Sequence, residues 1–492
     1  MIFSSPEFIL LFLPIAFFGY FYLNRLRLVL AGKVWLVAVS LFFYAYWNMA
    51  FLPILLGSIL FNFAIGTGFS QNIKLISARY ARRFMLIGSI AANLILLGYF
   101  KYANFLLENI NVAFNVDYFL PQTLLPLGIS FFTFTQIAYL VDSYRGEVKE
   151  YDFLNYALFV TFFPHLIAGP ILHHREMMSQ FESRWTLVVR YQNVILGLFI
   201  FSIGLFKKAV IADTFSIWAN AGFDSEITLY FFSAWATSLS YTFQLYFDFS
   251  GYCDMAIGAS LLFNIWLPIN FNSPYKALDI QDFWRRWHMT LSRYLRNYLY
   301  IPLGGNRCST VHTYFNLMAT FILGGLWHGA SWMFIIWGAL HGAGLVVHRV
   351  WSGLGLRMPK VLAWLLTFNF VNITWIFFRA KTLDDLHRII GGMIDISSVF
   401  NFPIISVSTN SLAWGGWFSD YLLRWLPTGL AANTLCFCAI IMALGIISQK
   451  NSFDLMISGP SMAKLSGTFL LFCIAMYSVM LTTSSVFLYF NF

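Results

Sequence analysis

The chain is dominated by apolar runs that are long enough to cross a lipid bilayer as helices. About 20 apolar residues suffice for one helical span, and the runs lack the ten-residue alternating segments of an outer-membrane barrel. The pattern therefore predicts an all-α polytopic membrane protein. The predicted spans lie near residues 7–23, 34–50, 51–70, 84–107, 122–141, 191–212, 228–247, 315–331, 333–348, 361–378, 429–447 and 465–485.

Two stretches interrupt this pattern. Residues 153–172 are apolar but contain two prolines, which favours a re-entrant or buried segment because non-helical backbone at membrane depth needs protein or water around it. Residues 380–428 form a long connection of mixed polar and aromatic content. No repeat or separable soluble domain is evident, so we predict one membrane domain over residues 1–492 with a C-terminal tail at 487–492.

Composition and charge agree with a membrane location. Only 10% of the residues are charged and 59% are hydrophobic, whereas a soluble domain carries about 25% charged residues. The net charge of +9 fits the excess of basic residues in cytoplasmic loops, and we expect no nucleic-acid partner. Basic loops at residues 25–33 and 74–83 are predicted to be cytoplasmic, which places the N-terminus outside.

His328 is the first candidate for chemistry. It lies in the apolar run 315–347, which contains no charged side chain. An ionisable residue at membrane depth is a functional candidate by default, and imidazole is suited to proton transfer near neutral pH. The alternative is a core histidine bonded to a neighbouring carbonyl. The flanking Gly324, Gly325 and Gly329 would let other backbones, or a thin ligand, approach closely.

His288 is the second candidate. If residues 282–292 form one helix, Trp284 and Trp287 share a face with His288, and Asp282 can pair with a following arginine. Such a helix would lie at the membrane interface.

The segment 276–307 around His288 is the most basic part of the chain. Its arginines, among them Arg285, Arg286 and Arg293, could hold an anionic phosphate or lipid head groups. Both readings need the same charges, so the sequence does not separate them.

Other polar groups give weaker signals. Asp248 and Asp254 lie six residues apart in apolar sequence, and either pair with internal arginines or line a polar tunnel. His165, His173 and His174 match no zinc-binding spacing, so we predict no metal site. The chain contains no HExxH, G-x-S-x-G or Walker-type loop.

The extreme C-terminus contains one tyrosine, Tyr489, among phenylalanines. An aromatic residue near a membrane interface is usually an anchor. A tyrosine hydroxyl can also act as a nucleophile that accepts a group and passes it on. Composition alone favours the anchor.

Several separated motifs, in order, resemble the membrane-bound O-acyltransferase family and its bacterial alginate O-acetylation branch. The matching stretches are residues 1–5, 163–170, 246–252, 282–288, 298–306 and 325–329. The resemblance implies a ring of tilted helices with re-entrant segments around a central tunnel. It also implies that His328 matches the family's catalytic histidine and His288 its second histidine, with donor-binding residues at Asp248, Arg285, Arg286, Trp287 and Arg293.

The same resemblance implies acetyl transfer across the bacterial inner membrane. The expected donor is acetyl-CoA or another cytoplasmic thioester, with no bound cofactor, and the expected acceptor is an exopolysaccharide such as alginate or cellulose. The alternatives are D-alanyl or peptidoglycan acyl transfer on the same scaffold, or a transporter without acyl-transfer chemistry.

The tail resembles the F-x-Y-x-x-F ending of envelope acylation systems, at Phe487, Tyr489 and Phe492. In those systems the tyrosine accepts the acyl group before a periplasmic SGNH-hydrolase-like acetyltransferase partner attaches it to polymer. The resemblance therefore favours Tyr489 as a carrier. The expected partners are that acetyltransferase, a polysaccharide synthesis complex and membrane lipid.

Overall fold

The computed structural model describes residues 1–70, 79–121, 124–148, 152–400, 428–459, 461–481 and 487–488. Within these ranges the regular structure is helical and no strand occurs. Some of these helices are long and apolar enough to cross a membrane, which confirms the prediction of an all-α polytopic membrane protein. Those found among the described residues are Phe8–Arg25, Met49–Phe69, Tyr80–Lys101, Tyr191–Phe223, Trp332–Gly353, Lys360–Arg379 and Met462–Leu481.

The chain divides into two compact units. The first comprises Met1–Phe201 and Met255–Pro268, and the second comprises Ser202–Asp254 and Ile269–Phe492. Two helices continue from one unit into the other, namely α10 (Tyr191–Phe206) and α12 (Phe231–Leu262).

The other α-helices of the first unit precede residue 182. They are α1 (Leu13–Arg25), α2 (Val29–Ala45), α3 (Leu52–Ser70), α4 (Arg79–Lys101), α5 (Ala103–Phe114), α6 (Ile129–Arg145), α7 (Phe153–Thr161), α8 (Phe163–Leu166) and α9 (His174–Phe181).

The remaining α-helices belong to the second unit. They are α11 (Asp213–Phe223), α13 (Ile280–Arg286), α14 (Met289–Leu295), α15 (Thr310–His328), α16 (Trp332–Gly353), α17 (Lys360–Arg379), α18 (Leu383–Ile394), α19 (Thr428–Ser448), α20 (Ser452–Ile457) and α21 (Met462–Leu481).

The proline-containing stretch of the first unit is broken, as the sequence predicts. Helix α7 ends at Thr161, and α8 begins at Phe163 with Pro164 in its first turn. Both helices are buried except at the start of α7, and the Nε2 atom of His165 lies 2.8 Å from the Phe159 carbonyl oxygen. A buried carbonyl partner makes His165 a structural residue of this segment.

Buried ion pairs link α12 to the segment Lys207–Ala212, which is a π-helix. The Nζ of Lys207 lies 2.6 Å from Asp254, and the Nζ of Lys208 lies 2.8 Å from both Asp213 and Asp248. Two expectations are thereby wrong: α12 does not end near residue 247, and the two α12 carboxylates pair with lysines rather than arginines. Charge neutralisation by the lysines lets α12 continue through both carboxylates.

Helices α15 and α16 form a hairpin whose backbones touch at two glycines. A Cβ atom on Gly325 would lie 2.2 Å from the Phe334 carbonyl oxygen, and one on Gly338 would lie 2.3 Å from that of Phe321. The predicted close approach at Gly325 is therefore an approach of backbones. The Ser331 hydroxyl accepts the Met333 N–H at 3.2 Å and starts α16, so His328 lies beside the tight connection of the hairpin.

Candidate active site

His328 is the last residue of α15 and is enclosed by aromatic rings. Its side chain is buried, and its ring centroid lies 4.9 Å from Trp327, 5.1 Å from Trp337 and 5.1 Å from Phe378. Helices α15, α16 and α17 each contribute to this enclosure. Surroundings of low polarity strengthen any electrostatic interaction that the imidazole makes with a reacting group.

His288 lies between two helices and not within one. Helix α13 ends at Arg286, α14 begins at Met289, and His288 itself is left-handed with φ 42° and ψ 53°. The predicted shared face with Trp284 and Trp287 is therefore wrong, because that spacing argument requires an unbroken helix. The Trp284 indole instead donates to Nδ1 of His341 at 3.2 Å.

A single amide, Asn270, fixes the tautomer of His288. Its Oδ1 lies 2.9 Å from the Thr290 hydroxyl, 3.2 Å from the Thr290 N–H and 3.1 Å from Nδ1 of His288. Since a backbone N–H only donates, that amide atom must be the oxygen, and Nδ1 of neutral His288 must carry the proton. Burial lowers the pKa of His288 from 6.5 to about 3, so the imidazole is neutral at neutral pH and Nε2 carries no proton.

The two candidate histidines share one aromatic neighbour. The Trp327 ring lies 6.4 Å from His288 and 4.9 Å from His328, centroid to centroid. The Phe249 ring of α12 contacts the other side of this group, 4.8 Å from His288. The structure thus brings together two residues that are 40 positions apart in the sequence, and we define Phe249, His288, Trp327 and His328 as the histidine cluster.

The predicted donor-binding residues lie in different surroundings. Arg286 donates from Nε to Asp282 at 2.8 Å, which confirms the prediction that this carboxylate pairs with a following arginine. Arg285 is exposed and Arg293 is half-buried. Trp287 is fully buried and stacks on Phe283 with ring centroids 5.6 Å apart. Their roles in donor binding remain predictions.

A basic cavity of about 480 Å³ lies where α13, α15, α16 and the π-helix Arg296–Tyr300 meet. None of the described residues lining it is acidic. Leu317 of α15 also lines it, and His328 follows 11 residues later, so the cavity lies roughly 16 Å from His328 along the helix axis at 1.5 Å per residue. Its polar and basic lining includes Gln281, Arg296, Tyr300, Asn306, His348 and Arg349.

Asp248 contacts the end of the chain. Its Oδ1 pairs with Lys208, and its Oδ2 accepts the Leu488 N–H at 2.9 Å. The neighbouring Phe487 is buried and stacks on Tyr252, with centroids 4.4 Å apart and planes 18° apart. Tyr489 and Phe492 lie outside the described residues.

Sequence reasoning missed three of these residues. Lys208 carried a usable signal, because a charged residue within a predicted span is expected to have a buried partner. Asn270 and Arg349 gave no such signal, because the residues that each of them meets in the site come from segments that are distant in the sequence.

Known proteins are similar to this chain over much of its length. The sequence profile of MBOAT, the membrane-bound O-acyltransferase family, matches residues 118–383. A peptidoglycan O-acetyltransferase of Helicobacter pylori is 47% identical over 100% of this chain and 98% of its own length. A probable alginate O-acetylase AlgI of Pseudomonas aeruginosa is 40% identical over 94% of this chain and 85% of its own length.

More distant relatives carry a different acyl group. A teichoic acid D-alanyltransferase of Streptococcus thermophilus is 28% identical over 53% of this chain and 69% of its own length. The profile covers more than half of the chain, and the two O-acetylating relatives match almost all of it. The chain therefore belongs to the membrane-bound O-acyltransferase family, and it is a multi-pass membrane acyltransferase.

Proposed function

We propose that this acyltransferase moves an acetyl group from a thioester donor on the cytoplasmic side of the bacterial inner membrane to a polysaccharide outside it. The observation that carries the proposal is the histidine cluster. It joins a buried imidazole at a helix end with a second imidazole whose tautomer is fixed. Such a pair provides one group to move a proton and one to accept a hydrogen bond beside it.

His328 acts as the general base in this proposal. It takes the proton of the attacking hydroxyl, whose oxygen adds to the thioester carbonyl. The carbon–sulfur bond then breaks, and the His328 imidazolium returns the proton to the thiolate. The hydroxyl belongs to Tyr489 or to a partner, and a tyrosine with a pKa near 10 requires such a base. The Nε2 lone pair of His288 accepts a hydrogen bond and orients the attacking group.

The donor is acetyl-CoA, whose charged phosphates cannot enter the bilayer without a prohibitive loss of hydration. We assign them to the basic segment, where Arg285, Arg286 and Arg293 lie. The cavity lined by Arg296 and Arg349 supports this assignment, because guanidinium groups hold phosphates through paired hydrogen bonds. The cavity lies roughly 16 Å from His328 along α15. The thiol arm of acetyl-CoA spans this distance.

Peptidoglycan is the acceptor that we favour. This choice is supported by the Helicobacter pylori relative, a peptidoglycan O-acetyltransferase that matches the chain over its full length. An alginate-like exopolysaccharide is the second candidate, supported by the Pseudomonas aeruginosa relative. In either case a periplasmic SGNH-hydrolase-like acetyltransferase receives the group from Tyr489 and works beside a polysaccharide synthesis complex.

Inverted membrane vesicles test this function. Vesicles supplied with radiolabelled acetyl-CoA should release CoA and retain label in protein or polymer. His328→Ala should reduce both signals about 10²- to 10⁴-fold, the range for loss of a general base. His312→Ala is the matched control, because His312 is an exposed residue in the first turn of the same helix.

Three results would contradict the proposal. Unchanged CoA release in His328→Ala vesicles would remove this residue from the mechanism. Absence of any donor-dependent CoA release in the unsubstituted vesicles would favour a conduit over an enzyme. Acetyl groups on exopolysaccharide but not on isolated muropeptides would replace peptidoglycan by the second acceptor.

A further inference from the structure

The last two described residues of the chain are held against α12 by both polar and aromatic contacts. The Leu488 N–H donates to Oδ2 of Asp248 at 2.9 Å. Phe487 is 3% exposed, stacks on Tyr252 at 4.4 Å and lies 5.8 Å from Phe249. A backbone hydrogen bond and a buried ring fix both the position and the direction of this segment.

Asp248 is suited to hold a backbone N–H. It is 1% exposed, and a buried carboxylate needs donors on both oxygens to offset its lost hydration. Lys208 forms an ion pair with Oδ1 and also with Asp213. A further donor is therefore needed at Oδ2. The Leu488 N–H supplies it, and the carboxylate and the tail therefore stabilise each other.

The docked segment adjoins the histidine cluster. Phe487 contacts Phe249 at 5.8 Å, and Phe249 contacts His288 edge-on at 4.8 Å. Tyr489 follows Leu488 directly in the sequence, and consecutive Cα atoms are about 3.8 Å apart. The docked segment therefore ends one residue before the proposed acyl carrier.

We propose that Asp248 is the docking site for Phe487 and Leu488 of its own chain, and that this docking is required for acyl transfer through Tyr489. The role of Tyr489 rests on the proposed function, whereas the docking rests on the contacts of Phe487 and Leu488. This assignment differs from donor binding, which was the role expected for Asp248. Its carboxylate oxygens instead contact a lysine and the tail.

The hydrogen bond can be broken from either side. In Asp248→Asn the single amide oxygen is drawn to Lys208, and the NH₂ group then faces the Leu488 N–H without accepting it. Leu488→Pro removes the N–H and leaves Asp248 intact, so it remains informative if Asp248→Asn folds poorly. The matched controls are Leu488→Ala, which keeps the N–H, and Asp254→Asn. The latter removes a carboxylate of α12 that pairs with Lys207 and Ser452.

Photo-cross-linking measures the docking directly. A benzoylphenylalanine introduced at position 487 in the full-length protein should cross-link to the α12 peptide containing Phe249 and Tyr252. Mass spectrometry should show a cross-link yield at least 10-fold lower in Asp248→Asn and in Leu488→Pro, and little changed in the two controls. Yields equal to the unsubstituted tail in both test variants would overturn the docking site.

Kinetics measure whether acyl transfer requires the docking. Asp248→Asn and Leu488→Pro should each lower kcat for acetyl transfer at least 10-fold with KM for acetyl-CoA unchanged, because donor binding does not involve the tail. A lost cross-link with normal kcat would overturn the requirement for docking. Normal acetylation in Tyr489→Phe would overturn the carrier role of the tyrosine, and the cross-link yields would then still decide the docking by themselves.

Discussion

His328 and His288 share Trp327 as a neighbour, yet the chain positions them by different means. His328 ends a long helix, and its place is set by the close contact of α15 and α16 at Gly325 and Gly338. His288 lies outside regular helix in a left-handed conformation, and a hydrogen bond to Asn270 sets its tautomer. One imidazole is positioned by backbone packing and the other by a side-chain amide.

This difference indicates how each histidine can fail. Packing of two helices is distributed over many contacts, but it has no room for an added methyl group where backbones touch. A single hydrogen bond tolerates changes in shape nearby, but it is lost entirely when its acceptor is removed. Substitutions that disturb one histidine should therefore leave the other in place.

Among substitutions that separate these two modes of positioning, Asn270→Ala should have the largest effect. Loss of the acceptor frees the His288 ring to change tautomer, and kcat for acetyl transfer should fall roughly 10- to 100-fold, or about 1.4–2.7 kcal/mol. Asn270→Asp keeps an acceptor for Nδ1 and Thr290, so it should retain more activity than the alanine variant. Equal activities of the two variants in the vesicle assay would show that the acceptor does not matter.

A smaller effect is expected at the hairpin. Gly325→Ala places a Cβ 2.2 Å from a backbone oxygen, whereas Gly324→Ala meets only a methyl group of Leu295 at 3.2 Å. Overpacking of this kind costs about 1–3 kcal/mol. Thermal unfolding in detergent should therefore show a lower Tm for Gly325→Ala than for Gly324→Ala. Equal Tm values would contradict the conclusion that backbone packing of α15 against α16 positions His328.

The smallest effect concerns pH. The pKa of His288 is lowered to about 3 in the folded protein by burial, so below pH 6.5 the unfolded chain binds the proton first and the folded state loses stability. His288→Gln lacks this titration, and its Tm difference from the unsubstituted protein should narrow between pH 7.5 and 4.5. A difference that widens over this range would indicate that the folded protein holds a charged His288.

The sequence predicted spans such as Trp332–Gly353 and Lys360–Arg379 because apolar length is a direct requirement of the bilayer. The helices found for the predicted spans 34–50 and 122–141 are shorter, with 17 residues each. Helix α16 begins and ends within a few residues of its prediction, whereas α12 runs far past residue 247. The reason for the error is specific. Asp248 and Asp254 read as a break in the span, but Lys207 and Lys208, which come from another segment, neutralise them.

The candidate site was predictable in its residue types and not in its geometry. Charge-free surroundings singled out His328, and the tryptophans and charged residues of 282–292 singled out His288. Residues 282–292 contain no signal for the left-handed conformation at His288, and the Asn270 amide that sets its tautomer lies 18 positions earlier. The contact between Asp248 and Leu488 spans 240 positions, and local patterns contain no information on such pairs.

The π-helix at Lys207–Ala212 restricts how the length of this segment can change. A π turn closes its hydrogen bonds over five residues instead of four and so holds one residue more than an α turn. Deleting one residue there would restore α-helical bonding, but it would shift the residues of the turn by one position, which is about 100° around an α-helix of 3.6 residues per turn. Lys207 and Lys208 could then no longer both reach Asp254 and Asp248. Insertions and deletions at this point should therefore be rare.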